Sequence, residues 1–176
     1  MPATQTIDVF DGLEFYVEPA KAPDPVYYTS DKPEFDVHIR NKDSKYDFSE
    51  ESAFTWTIET NPMQVVHTNE VEFGPLGRGE ETTVTVGGKV LAYEGHGVFG
   101  IATGGASGKS GSDRRELKSG RAKSADPAYS FHVWDNSHYD ASIRQPKRLQ
   151  LAMFGTSVLL ILFAVVQVLL AIGIVG

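Results

Sequence analysis

The C-terminal end constrains this chain more than any other feature. From Leu151 to Gly176 it reads LAMFGTSVLLILFAVVQVLLAIGIVG, without a charge or a proline. As a helix rising about 1.5 Å per residue, this run reaches roughly 39 Å and crosses a hydrocarbon core of about 30 Å with some tilt. A soluble protein could hide such a helix only inside a large core. This one is apolar all round, and the remaining chain is too short to wrap it. The sequence therefore predicts a transmembrane helix over 149–176, preceded by a basic juxtamembrane linker over 138–148.

The flanks of that span set an expected orientation. Arg144, Lys147 and Arg148 precede it and no charge follows, so the positive-inside rule places the N-terminal body in the cytoplasm. No apolar run resembling a signal peptide occurs in the first thirty residues, where Asp8, Asp11 and Glu14 interrupt every candidate. The layout expected is tail-anchored and single-pass. The alternative is an exported N-terminal domain, since long domains can override flank charge. Tyr139 is a candidate aromatic anchor at the interface, with Trp134 a weaker one that could instead pack on the body. Gln167 is the one strongly polar side chain in the span, and its amide either finds a partner helix or is tolerated facing lipid.

Before the span the pattern changes to period two. Leu13, Phe15 and Val17 alternate with polar residues, as do Phe35, Val37 and Ile39, then Phe54, Trp56 and Ile58. Thr82, Val84 and Val86 repeat the pattern, followed by Val98, Phe99 and Ile101, and by Tyr129, Phe131 and Val133. Turn chemistry separates these runs: Asp31-Lys-Pro33, Asn41-Lys-Asp43-Ser, Asn61-Pro62, Gly74-Pro75-Leu-Gly77 and Gly87-Gly88. About seven short strands with frequent turns predict a mainly β fold, an antiparallel β-sandwich over 1–137.

Particular residues carry a resemblance. Phe35-Asp-Val-His-Ile-Arg-Asn41, then Gly74-Pro-Leu-Gly-Arg-Gly-Glu80 leading into Thr82-Thr-Val-Thr-Val86, and Gly95-His-Gly-Val-Phe99-Gly-Ile101 resemble the strands and turns of immunoglobulin-like domains in prokaryotic cell-envelope proteins. The resemblance implies an immunoglobulin-like β-sandwich with Trp56 as its core-strand tryptophan. Both disulfide cysteines of that fold are absent, and Phe99 stands where its corner tyrosine would be. Ile39, Trp56 and Ile101 are then expected to form an apolar pin in place of the disulfide. Such folds host many functions, so the resemblance implies none.

The chain has no cysteine, which excludes disulfides, thiolate metal sites and thiol nucleophiles. Its formal charge is −7, unevenly spread. Residues 1–108 hold 7 Lys and Arg against 18 Asp and Glu, whereas 109–124 hold 6 against 2. An acidic body argues against nucleic acid as the main partner. The basic stretch falls in a segment, 103–127, expected to be a flexible Gly/Ser loop. Arg114, Arg115, Lys118, Arg121 and Lys123 are its candidate partner-binding residues, and an acidic protein surface is favoured as partner over nucleic acid or anionic lipid. A solvated loop with no partner is the plain alternative. If the last strand runs into the membrane helix, this loop lies at the membrane-distal end. Thr103-Gly-Gly-Ala-Ser-Gly108-Lys109-Ser110 resembles a phosphate loop only superficially, because position 103 is not glycine and no apolar helix follows.

Catalysis has little to stand on. There is no Gly-x-Ser-x-Gly elbow and no His-Glu-x-x-His. His132 and His138 could share a metal with Asp135 or Asp140, but the spacing matches no known ligand set. No enzyme activity, cofactor or metal is expected. The function expected is a membrane-anchored binding or assembly module, an accessory subunit of a membrane complex or a homo-oligomer. A structural envelope protein with the domain outside is the alternative, and a metal-binding or enzymatic module is the third reading.

Overall fold

The computed structural model describes residues 7–8, 12–21, 26–60, 64–108, 111–139, 141, 145–171 and 173. It divides into two compact units, residues 1–135 and 136–176.

The first unit is built from strands. Among the described residues these are β1 (Ile7–Asp8), β2 (Leu13–Pro19), β3 (Tyr27–Tyr28), β4 (Glu34–Asn41), β5 (Asp47–Phe48), β6 (Ala53–Thr60), β7 (Gln64–Glu72), β8 (Glu81–Gly87), β9 (Gly95–Ser107), β10 (Arg114–Ser119) and β11 (Asp126–Trp134). All six alternating runs of the sequence lie in strands: β2, β4, β6, β8, β9 and β11. One sheet has the order β1-β2-β4-β8. The second has β11 and β6 on either side of β9, with β3 beyond β11 and β7 beyond β6. Where β9 continues past Ala102 it pairs with β10, which pairs in turn with β5. The expected antiparallel pattern holds except for β10 with β5 and β11 with β3, which are parallel.

The sheets share one core, made because β-branched and aromatic residues recur at every second position on the facing sides. Phe15 of β2 meets Phe54 of β6 edge-on at 5.6 Å between ring centres, and Phe35 of β4 meets Phe99 of β9 at 4.7 Å. Trp56 stacks on Phe99 at 5.9 Å. Ile39, Trp56 and Ile101 are all buried in this core, with Trp56 directly opposite Ile101 in register.

Residues 103–127 require a correction. The segment expected as a flexible loop is strand to Ser107, strand again over Arg114–Ser119, then a short 3-10 turn over Ala122–Ser124. Two things hid this. Leu117 is fully buried, but one apolar residue among charges makes no period. The glycines are there for close approach rather than for flexibility: a Cβ on Gly120 would come within 2.6 Å of the Thr103 nitrogen, and one on Gly104 within 2.7 Å of the Ser119 carbonyl oxygen. From Gly120 to Ala125 the chain lies as a strap across the outer face of β6 and β9. Thr55 Oγ1 donates a hydrogen bond to the Gly120 carbonyl at 2.9 Å, and a Cβ on Gly100 would meet Ala125 Cβ at 3.1 Å. Beneath the strap Thr57, Gly100 and Ala102 are buried, so β6 is buried on both faces.

The second unit contains a short helix, α1 (Asn136–Tyr139), and a long one, α2 (Gln145–Ala171). One helix, Gln145–Leu170, is long and apolar enough to span a membrane, and none of its most apolar window is buried. It begins four residues earlier than the predicted span, because Pro146 at the start of a helix loses no hydrogen bond and brings a preset φ. Lys147 and Arg148 thereby move from the expected linker into the first helical turn. Thr156 and Ser157 donate to the carbonyls of Ala152 and Met153, each at 2.9 Å, so neither hydroxyl is left unsatisfied in an apolar stretch.

Candidate functional site

The basic residues sit on ordered backbone. Strand β10 is held between β9 and β5 and pinned by Leu117, whose backbone N–H donates to Ser52 Oγ at 3.2 Å. Arg115 points back into the domain: its guanidinium lies 3.7 Å from the Tyr46 ring centre, with one nitrogen 3.9 Å from Asp43 Oδ2. Its guanidinium stacks on an aromatic face, and the side chain helps hold β10 to the turn after β4. Arg114, Lys118, Arg121 and Lys123 are exposed. Lys118 borders a shallow depression with Glu51, Glu70 and Glu116. Lys123 lines an open groove of about 460 Å³ with Glu59, His96 and Pro127. Among the described residues none of these four cations forms an ion pair, nor do Lys32, Arg40, Lys45 and Lys89, while Lys21, Lys42 and Arg78 pair with Glu34, Glu14 and Asp47.

A second polar surface, unmarked by any motif, covers the outer face of the first sheet. The antiparallel register sets Tyr16, His38 and Thr83 side by side across β2, β4 and β8, with Glu14, Arg40 and Glu81 as the neighbouring row. His38 Nε2 lies 3.2 Å from Glu18 Oε1, and its Nδ1 lies 2.9 Å from Thr83 Oγ1 and 3.6 Å from Glu81 Oε1. The Tyr16 ring is 5.5 Å from the imidazole. Glu14, Tyr16, Glu18, His38, Arg40 and Glu81 line a concavity of about 360 Å³. Each row is visible in the sequence only as the polar half of an alternating strand. Which polar residues share a row depends on the register.

The other candidate positions are dispersed. His132 is opposite His96 in register and its ring lies 4.5 Å from that of Trp134, which is itself more than one-third exposed. His67 on β7 donates through Nε2 to the Val90 carbonyl at 2.8 Å. Among the described residues no three His, Asp or Glu side chains are placed to hold a metal ion. Asp140, Arg144, Lys109 and Ser110 lie outside the described residues, as does the side chain of Tyr139. Gln167 is exposed on α2.

Burial shifts the hydroxyls of two tyrosines. Burial pushes the Tyr93 hydroxyl up to about 12, and its oxygen is buried without a hydrogen-bond partner. Burial raises Tyr27 further, assisted by Tyr129 and Asp31.

No protein-family model matches the chain, and no curated protein matches it in sequence. Among solved structures it is similar to the C-terminal domain of wzt, at 14% identity and a TM-score of 0.44, over 76% of this chain and 77% of that one.

Proposed function

We propose that this chain is a single-pass, C-terminally anchored membrane protein whose β-domain is a binding or assembly module, contacting an acidic protein surface through Arg114, Lys118, Arg121 and Lys123. The observation that carries this reading is the clustering of those four exposed cations on ordered strand and strap of an otherwise acidic domain, with no ion pair to any of them among the described residues. Holding them on fixed backbone removes part of the ordering cost that a flexible loop would meet on binding.

The domain itself we read as an immunoglobulin-like sandwich. The strand order supports this: β2-β4-β8 opposes β11-β9-β6-β7, with the buried tryptophan on β6, the third of the seven long strands. Anchoring is supported by the exposed apolar length of α2. The placement of Lys147 and Arg148 adds to it. Cations in the first turn of a helix work against its macrodipole, typically by about 0.3–1 kcal/mol each, so their value lies outside helix stability. Orientation by the positive-inside rule gives them one, with the domain in the cytoplasm.

The partner reading is tested by replacing all four cations with Ser and cross-linking from position 119 in native membranes. Salt-sensitive cross-linking to an acidic protein should vanish while the melting temperature of the domain stays within a degree or two; cross-linking that persists rejects the reading. Orientation is tested separately with Lys45→Cys, which is exposed. A maleimide unable to cross membranes should label it only after lysis. Labelling of intact cells moves the domain outside.

A further inference from the structure

Strand β8 is one edge of the first sheet, opposite the edge formed by β1 and β2. Its backbone pairs with β4 on one side, and among the described residues nothing pairs with the other. Which of its amides face outward follows from two hydrogen bonds that bracket it. The Asn41 N–H donates to the Glu80 carbonyl at 2.9 Å, and the Gly88 N–H donates to the Pro33 carbonyl at 2.8 Å. Even-numbered positions of β8 therefore bond toward β4, and Glu81, Thr83, Thr85 and Gly87 direct N–H and C=O toward the free edge. Such an edge is a template for another strand unless something blocks it.

Strand β7, an edge of the second sheet, differs in this respect. On β7 the Phe73 N–H donates to the Ser52 carbonyl, so the edge-facing positions are Thr68, Glu70 and Glu72. Two carboxylates stand there, and the β6–β7 pairing shifts register between Ile58 and Glu59. Both are common protections of an edge. Strand β8 has one edge carboxylate, Glu81 at its first position, and no register shift against β4. Between Glu81 and Lys89 it carries no charge and no proline, and its exposed side chains at 83 and 85 are threonines.

We propose that β8 pairs antiparallel with β8 of a second copy of this chain, in the register that sets Val84 opposite Val84. This register uses the whole strand. Thr83 and Thr85 exchange backbone hydrogen bonds across the two-fold axis, and their side chains, whose hydroxyls already bond His38 and Asp36 of their own sheet at 2.9 and 2.6 Å, pack as Thr–Thr pairs on an exposed face. Thr82, Val84 and Val86 continue the apolar side from one sheet into the other. No like charges meet: Glu81 faces Gly87 of the second copy, whose following residue but one is Lys89. A peptide of unrelated sequence could use the same amides, but only a second copy brings this self-complementary pattern of side chains with it. Anchoring in one membrane would supply the local concentration. That part rests on the anchored reading above, whereas the strand geometry does not.

The cysteine-free chain makes the register directly readable. Facing residues of a non-hydrogen-bonded pair have Cα atoms about 4.5 Å apart, within disulfide range. In the full-length protein, Val84→Cys should form about tenfold more disulfide-linked dimer on mild oxidation than Thr85→Cys, whose copies would be displaced along the strand beyond the roughly 7 Å limit. Equal cross-linking at 84, 85 and the remote Lys45→Cys means collision in the membrane and overturns the proposal. Charge exchange provides the second measurement. Thr83→Lys with Thr85→Lys sets Lys against Lys and should shift the detergent-purified protein to monomer. Thr83→Lys with Thr85→Glu sets opposite charges together and should restore the dimer. Both variants lose the same threonine contacts, so identical behaviour of the two, whether dimeric or monomeric, also overturns it.

Discussion

The outer faces of the two sheets are solved differently. On the first sheet, β4 alternates buried and half-exposed positions and leaves a polar lattice around His38 open to solvent. On the second, β6 is buried on both sides because the strap from Gly120 to Ala125 covers Thr55, Thr57 and Gly100. The lesson concerns exposed polar networks. Ion pairs such as Lys42–Glu14 at 2.6 Å sit in water and contribute little. The covered face relies on contacts that cannot relax. Stability should therefore be insensitive to the first sheet's lattice and sensitive to the second sheet's strap.

Perturbations rank this contrast. Trp56→Ala, beneath both sheets, should have the largest effect, a loss of about 3–5 kcal/mol in denaturant unfolding of the full chain. A loss below about 1 kcal/mol would mean that the two sheets do not share one core. Gly120→Ala should come next. Its methyl would press on the Ala102–Thr103 backbone, which cannot swing aside as a side chain could, so about 1–3 kcal/mol is expected. An unchanged melting temperature would show that the strap is not fitted as described.

The third effect is confined to alkaline pH. The folded-state pKa of Tyr93 is raised by burial from 10.0 to about 12, and that of Tyr27 is raised as well. A raised pKa for an acid means that folding favours the neutral hydroxyl. The contribution is complete below pH 10 and is lost as the pH rises from about 10 through 12. Melting temperature should fall across that window, less steeply in Tyr93→Phe, whereas a parallel fall in both proteins would assign the alkaline loss elsewhere. The smallest effects come as a pair. Thr57→Val removes a buried hydroxyl that has no partner and should be neutral or slightly stabilising. His38→Ala, on the open lattice, should stay within about 0.5 kcal/mol. A marked loss for His38→Ala would reverse the contrast between the faces.

Much of the domain was legible in the residues because β-strands buried on one face have to alternate. Phe35-Val37-Ile39 and Tyr129-Phe131-Val133 could lie only with those side chains inward. Strand β7 was missed for the same reason in reverse: as a half-exposed edge its residues, Gln64 to Glu72, follow no period. Strand β10 was missed because its burial rests on Leu117 alone. Of the candidate site, the identities of the cations were evident from charge clustering, but not that Arg115 stacks on Tyr46 while its neighbours remain unpaired.

The sequence by itself determined a mainly β body, most of its core aromatic residues though not Tyr27, Phe48 and Phe73, and one apolar helix long enough to cross a bilayer. These follow from periodicity and hydrophobic length, which are local properties. Tertiary structure alone decided the register that brings Tyr16, His38 and Thr83 together, the ordering of residues 103–127 into strand and strap, and the edges left open. Each of those depends on which strands become neighbours, and pairing between residues distant in sequence leaves no mark on the local pattern of either partner.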